Sequence, residues 1–324
     1  MKKNIVVLVG GGGTEHEISL LSADYIESQI DRESFNVHRV LIDKKQKWTY
    51  QGLPINFTFD GELTMGNEKF KVDAAIPCIH GPPGETGEVQ AFLELLKIPF
   101  LGCRSEASIL SFNKLATKLL LENAGIKTAP FVQLQKEDGL SKLEAFFSEH
   151  QDIYLKATNQ GSSVGCYHIT DKGQISANLE EAFTYSPYVI AEKTIVGREL
   201  EVAVFEYQNK WTATIPGEID CPSEFYSYEE KYSEKSETKT LVEAPNVSPE
   251  NQNKMKEMAL AAVETLKLRH LARIDFFLAD DGEIYINEIN TFPGHTKISM
   301  FPMMMENSGV KYFDYLNSTL NSLT

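Results

Sequence analysis

The chain opens with the apolar run Ile5-Val6-Val7-Leu8-Val9, passes at once into Gly10 to Gly13, and continues with Ile18, Leu21, Tyr25 and Ile26 at helical spacing. A short apolar run bounded by glycine reads as a buried strand, and the recurrence after it reads as an amphipathic helix, so the opening is the first half of a βαβ unit. An apolar strand at Ala74–Cys78, a helix stripe of Val89, Phe92, Leu93 and Leu96, and a return to extended structure at Ile98–Gly102 continue the pattern. Residues 1–102 therefore read as an open, Rossmann-like α/β domain. A helix from Lys114 stops at Asn123-Ala124-Gly125, and Thr128-Ala129-Pro130 restarts the chain as strand. Strands at Ile153–Lys156 and Cys166–Ile169 flank the loop Asn159–Gly165, with Leu143, Phe146 and Phe147 on a neighbouring helix, so residues 103–190 read as a small central α+β domain. Residues 191–324 read as a C-terminal α+β domain: strands reach from Tyr188 to Ile195, Glu199 to Phe205 and Lys210 to Ile215, and Met255, Met258, Ala259, Ala262, Val263 and Leu266 mark a packed helix. Tyr226–Thr240 has no apolar periodicity and reads as a solvated loop.

With 324 residues, 42% of them hydrophobic, the chain exceeds what one core usually serves, which favours several domains around a cleft. Its 31 basic and 46 acidic residues give a net charge of −15, a field that repels nucleic acid and anionic membranes; neither is expected as a partner, and an anionic substrate needs local cations. The five apolar residues after Asn4 are too few for a signal peptide, and no run approaches the roughly 20 residues of a membrane helix. Cys78, Cys103, Cys166 and Cys221 are widely spaced without a zinc pattern, which points to reduced thiols and a cytoplasmic protein.

Three constellations carry chemistry. The Gly10 turn fails the dinucleotide fingerprint, because Glu15 or His16 stands where its third glycine belongs, but a strand-turn-helix still aims backbone N–H groups at a ligand. Glu15, in that turn, either caps the helix or holds an ammonium group. Gly161-Ser162-Ser163-Val164-Gly165 lets a backbone close over phosphates, with Lys156 at the preceding strand end supplying charge; the alternative is a plain hairpin loop. Asp281-Gly282 between alternating strands predicts a two-residue hairpin turn. Every cross-strand pair then sums to 563, so Asp275 opposes Glu288 and Arg273 opposes Asn290 on one face. Opposed carboxylates about 5 Å apart repel unless a cation lies between them, and with an Asn oxygen they suit Mg²⁺. A three-residue turn would put Asp275 and Glu288 on opposite faces.

Over essentially its whole length the sequence resembles the D-alanine–D-alanine ligases of the ATP-grasp superfamily. The likeness rests on Glu15-His16-Glu17-Ile18-Ser19-Leu20, His80-Gly81-Pro82-Pro83-Gly84-Glu85, Lys156 with the Gly161–Gly165 loop, Phe225–Tyr232, and Asn287-Glu288-Ile289-Asn290-Thr291-Phe292-Pro293-Gly294. The resemblance implies an ATP-grasp fold and nucleotide binding by Lys114, Lys156, Ser163, Glu192, Lys193, Ile195 and Glu199, with Lys231 reaching the phosphates. It implies magnesium on Asp275, Glu288 and Asn290, as two ions that Mn²⁺ can replace. Glu15 would bind the ammonium of the first D-alanine, linked through Ser162 and Tyr232 to the closed 226–240 loop, and His80 would lie beside that substrate's carboxylate. Arg273, Ser299, Met300 and the Gly294 backbone would hold the second amino acid and the oxyanion. The implied reaction joins two D-alanines through a D-alanyl phosphate, giving ADP and phosphate, for peptidoglycan precursors in a cytoplasmic homodimer. Thr86, Gly13 and His295 depart from the family's usual residues. The rival readings are a D-lactate- or D-serine-accepting ligase, which Tyr232 and Met300 disfavour because ester-forming relatives tend to carry Phe and Arg there; a non-catalytic nucleotide-binding regulator; and an oxidoreductase using the Gly10 turn.

Overall fold

The computed structural model describes residues 2–13, 15–220 and 239–324. The N-terminal unit runs β1 (Lys3–Gly10), α1 (His16–Ser28), β2 (Phe35–Ile42), β3 (Trp48–Tyr50) and β4 (Leu53–Pro54), then β5 (Asn56–Phe57), β6 (Glu62–Met65) and β7 (Glu68–Lys71) as a side sheet, then β8 (Ala74–Cys78) and α2 (Glu88–Leu95). Its main sheet has the order β4-β3-β2-β1-β8, with β1 parallel to both neighbours. A strand paired on both edges and covered on both faces admits no polar side chain, which is why Ile5 to Val9 are all fully buried.

Next come α3 (Ser105–Phe112), α4 (Lys114–Asn123), β9 (Phe131–Leu134), α5 (Gly139–His150), β10 (Ile153–Ala157), β11 (Cys166–Ile169), α6 (Ile175–Tyr185) and β12 (Val189–Lys193). The antiparallel sheet β11-β10-β12-β9 buries Ile153, Leu155, Val189 and Ala191 against Leu143 and Phe147 of α5 and Leu179 of α6. Strand alternation leaves Tyr154 and Lys156 on the other, open face.

The last unit contains β13 (Gly197–Tyr207), β14 (Lys210–Ala213), β15 (Gly217–Asp220), β16 (Lys239–Leu241), α7 (Pro249–Leu266), β17 (Leu271–Ala279), β18 (Ile284–Asn290), α8 (Met300–Asn307) and α9 (Tyr312–Leu323). Its sheet runs β16-β15-β13-β17-β18, with β14 beside β13. Leu200, Val202 and Val204 of β13 pack toward α7, while Ala203 and Phe205 join Phe301, Tyr315 and the N-terminal strands in a core shared across the molecule.

These cores divide the chain differently from the expected boundaries after 102 and 190. Cys103, Ala107, Leu121 and Ile126 share a core with α7, β13, β17 and β18, so α3 and α4 pack with the C-terminal unit. β12 stays in the central sheet through Lys193. Local periodicity defines a helix but not the sheet on which it packs.

The expected two-residue turn is also corrected. Ala279 N–H donates to the Glu283 carbonyl at 2.9 Å and Gly282 N–H to the Ala279 carbonyl at 2.9 Å, so 280–282 form a three-residue turn, with Gly282 in the left-handed region at φ 86°. A β-bulge between Asp275 and Phe276 absorbs Asn287 as the extra residue and restores the pairs Arg273↔Asn290 and Asp275↔Glu288. Turn and bulge cancel at the site.

Candidate active site

A cavity of about 1050 Å³ lies between the open face of the central sheet and the β17–β18 hairpin, with the loops after β1 and β8 contributing to its wall. Glu15, His80, Lys114, Lys156, Ser162 and Ser163 line it. So do Glu192, Lys193, Ile195 and Glu199, and, from the hairpin and the segment after it, Arg273, Asp275, Glu288, Asn290, Gly294, Ser299 and Met300. Lys231 and Tyr232 lie outside the described residues, as does most of the 226–240 segment, whose last residues enter β16 rather than a loop.

At the end near the N-terminal loops, Glu15 occupies the N-cap position of α1, yet its side chain makes no capping hydrogen bond and instead faces the cavity. The Gly10–Gly13 run does not reach the cavity wall, contrary to the expectation that its N–H groups face a ligand. Gly10 and Gly11, both at positive φ, serve close packing: a Cβ would run into the Ile42 carbonyl at Gly10 and into Ile79 at Gly11. His80 is buried, with Nδ1 3.2 Å from the Phe292 carbonyl and Nε2 2.8 Å from Ser22 Oγ. A carbonyl only accepts, so Nδ1 carries the proton and Ser22 donates to Nε2. Both ring nitrogens are thus held by the protein, and His80 lines the cavity beside Glu15. Burial lowers the His80 pKa, against the opposing pull of Glu15. Glu85 accepts the Gly81 N–H at 2.9 Å; burial, and then the charge of Glu15, push its pKa up to about 8.

On the hairpin, Arg273 grips Asp275 through two bonds of 2.7 and 2.8 Å and lies 3.3 Å from Glu201. Asn290 Nδ2 donates to Asp275 at 3.0 Å, and Lys114 Nζ stands 3.6 Å from Glu288. The opposed carboxylates are therefore offset by an arginine and a lysine. Burial opposes the Arg273 charge, but Asp275 and Glu201 outweigh it and raise its pKa. Ser299 is the N-cap residue of α8, and its Oγ accepts the Thr296 N–H at 2.9 Å; a Cβ on Gly294 would come within 3.0 Å of that oxygen. The first-turn N–H groups of α8 give this end of the cavity an anion-binding character. Met300 keeps its side chain in the shared core.

At the other end, Lys156 Nζ lies 2.7 Å from Glu192 and 3.5 Å from Asn287 Oδ1, the residue that the bulge turns toward the cavity. Ser162 and Ser163 both adopt positive φ, at 50° and 62°, a conformation that costs non-glycine residues on the order of 1 kcal/mol each and that turns the loop over the cavity. Lys114 pins the loop by donating to the Gln160 carbonyl at 2.9 Å.

Sequence reasoning assigned no role to Glu85, Asn287 or the buried Lys118. The first two stood within quoted motifs; Lys118 carried no signal beyond a charge on a helical stripe.

A family model described as D-ala D-ala ligase N-terminus matches residues 4–103, and one described as D-ala D-ala ligase C-terminus matches residues 120–321. The D-alanine–D-alanine ligase of Shewanella sp. (strain ANA-3) is 46% identical across 99% of this chain and 98% of its own length. The crystal structure of D-alanyl-alanine synthetase A from Vibrio cholerae superposes with a TM-score of 0.94 at 41% identity, covering 99% of this chain and 98% of that one. The VanG D-Ala:D-Ser ligase from Enterococcus faecalis superposes with a TM-score of 0.90 at 28% identity over all of both chains.

Proposed function

Because the chain belongs to the D-alanine–D-alanine ligase family, we infer that it joins two D-alanines at the expense of ATP, giving D-alanyl-D-alanine for peptidoglycan synthesis together with ADP and phosphate. The observation that carries this reading is the convergence of a carboxylate for an ammonium group, a lysine-backed phosphate loop and an arginine-bearing hairpin on one cavity.

A carboxylate is a poor electrophile, so one substrate must first be activated. Glu15 orients the first D-alanine by its ammonium, and the D-alanine carboxylate attacks the γ-phosphorus of ATP while Lys114, Lys156 and Lys231 offset the charge, so that the β–γ bond breaks, ADP leaves and D-alanyl phosphate forms. The second D-alanine rests its carboxylate against the first turn of α8 beside Ser299. Its neutral amine attacks the acyl carbon, and the oxyanion is met by Arg273 and the Gly294 N–H before phosphate leaves. The 226–240 segment keeps water from the acyl phosphate.

The family's divalent metal fits Asp275, Glu288 and Asn290, hard oxygen donors on one hairpin face. When bound, as two Mg²⁺ ions or Mn²⁺ in their place, it would offset the charge developing on the phosphates.

The test is to measure phosphate release from ATP with D-alanine, D-lactate and D-serine, alone and paired, alongside product counting. Release with D-alanine alone, one phosphate per dipeptide, is expected; release without dipeptide, or ester exceeding amide from an equal mixture of D-alanine and D-lactate, overturns the reading. A homodimer and a cytoplasmic location belong to the same proposal and are tested by light scattering and cell fractionation.

A further inference from the structure

Glu192 is clasped by two lysines that differ in access. Lys156 Nζ lies 2.7 Å from Glu192 Oε2 and lines the cavity. Lys118 Nζ lies 3.2 Å from Glu192 Oε1, its side chain is 2% exposed, and it does not reach the cavity wall. Lys118 also donates to the Ala129 carbonyl at 3.1 Å and stands 5.2 Å from the centre of the Phe131 ring. It is thereby fixed among a carboxylate, a carbonyl and a π-face.

Burying an ammonium is costly unless it is fully paired, so this lysine calls for a physical reason. A lone Lys156–Glu192 pair would be neutral. Drawing Lys156 toward a phosphate would then leave a buried carboxylate without a partner, a penalty set against every phosphate bound. Glu192 instead has a second partner in Lys118 and keeps it when Lys156 turns away.

We propose that Lys118 is a positioning residue that holds the Glu192 carboxylate so that the Lys156 ammonium is free to engage nucleotide phosphate. This rests on reading the cavity as the ATP site. Lys118 itself touches no ligand. The competing role is structural: through the Ala129 carbonyl, Lys118 ties α4 to the segment leading into β9. Such a tie would not depend on the charge at position 192.

The test is calorimetric titration of ATP into wild type, Lys118→Met, Glu192→Gln and the double variant, each shown to be folded by circular dichroism. Lys118→Met weakens ATP binding about tenfold when Glu192 is present and less than about threefold in the Glu192→Gln background, where no carboxylate competes for Lys156. At saturating ATP its kcat stays within about twofold of wild type. Equal losses in the two backgrounds, or no loss beside Glu192, overturn the proposal. Lys156→Ala separates it from the underlying reading: unchanged ATP affinity in that variant removes Lys156 as a phosphate ligand, the premise on which the role of Lys118 rests. If Lys118→Met does not fold, Lys118→Gln takes its place in both backgrounds and is judged by the same outcomes.

Discussion

Glu85 combines a buried carboxyl, an accepted Gly81 N–H and a neighbouring Glu15 charge, and its pKa rises from 4.5 to about 8. Between those values the folded chain retains a proton that the unfolded chain has released, so Glu85 lowers stability as pH rises through that window and levels off above it, by up to about 1.4 kcal/mol per pH unit. Glu85→Gln keeps a neutral side chain, so its melting temperature should gain on wild type from pH about 5 to about 8; parallel curves would refute the assignment. Lys156 supplies a charge-assisted bond, and Lys156→Ala should weaken ATP binding by about 1.5–3 kcal/mol, or about ten- to a hundredfold. Calorimetry showing wild-type affinity would move Lys156 to a purely structural role.

At the scale of single elements, α4 is the helix on which most converges. Asn113 caps it by accepting the N–H groups of Leu115 and Ala116. The helix then presents Lys114 to the phosphate loop and, one turn on, Lys118 to Glu192. Asn113→Ala should cost about 0.5–2 kcal/mol in denaturant unfolding and also raise the KM for ATP, because fraying the first turn displaces Lys114. A stability loss with unchanged KM would show that the helix end does not set the site. The β17–β18 hairpin was legible for a different reason. Its pairing at Asp275 and Glu288 follows from sequence only because a longer turn and a bulge offset each other, and the bulge is also what gives Lys156 its contact with Asn287. Nothing in the alternation of Ile284 to Asn290 marks that extra residue.

Across the whole molecule, the core that joins the N-terminal strands to α8 and α9 encloses His295. Its ring stacks on Phe292 at 4.6 Å and lies against Phe301 and Tyr312. Nε2 of His295 and the Tyr312 hydroxyl are buried without a hydrogen-bond partner among the described residues. Burial pushes the His295 pKa down from 6.5 to about 3, despite the opposing Pro293 carbonyl, so the folded state refuses a proton that the unfolded state accepts. That contribution to stability is present above 6.5 and is lost as pH falls toward 3. His295→Phe should remove the loss: its melting temperature should rise relative to wild type as pH drops from about 7 to about 4. A constant difference across that range would place the acid sensitivity elsewhere.

What depends on neighbours along the chain was legible before any fold was known. The apolar run of β1, the helix stop after Asn123 and the loop between β10 and β11 are set by periodicity and glycine, whereas the pairing of Asp275 with Glu288 also needed a bulge that no local pattern marks. Tertiary structure decided which charges meet. Lys118 reaches Glu192 from a different element, Glu85 comes beside Glu15 from a different loop, and His80 is locked to the Phe292 carbonyl 212 positions away. It also settled that α3 and α4 pack with the C-terminal sheet and that the N–H groups of Gly10 and Gly11 go to Ser19 and the Ile42 carbonyl. A local pattern specifies the direction of a side chain within its own helix or strand. The partner it finds is fixed only when long-range burial brings distant elements together, and a charge removed from water must then find its counter-charge there.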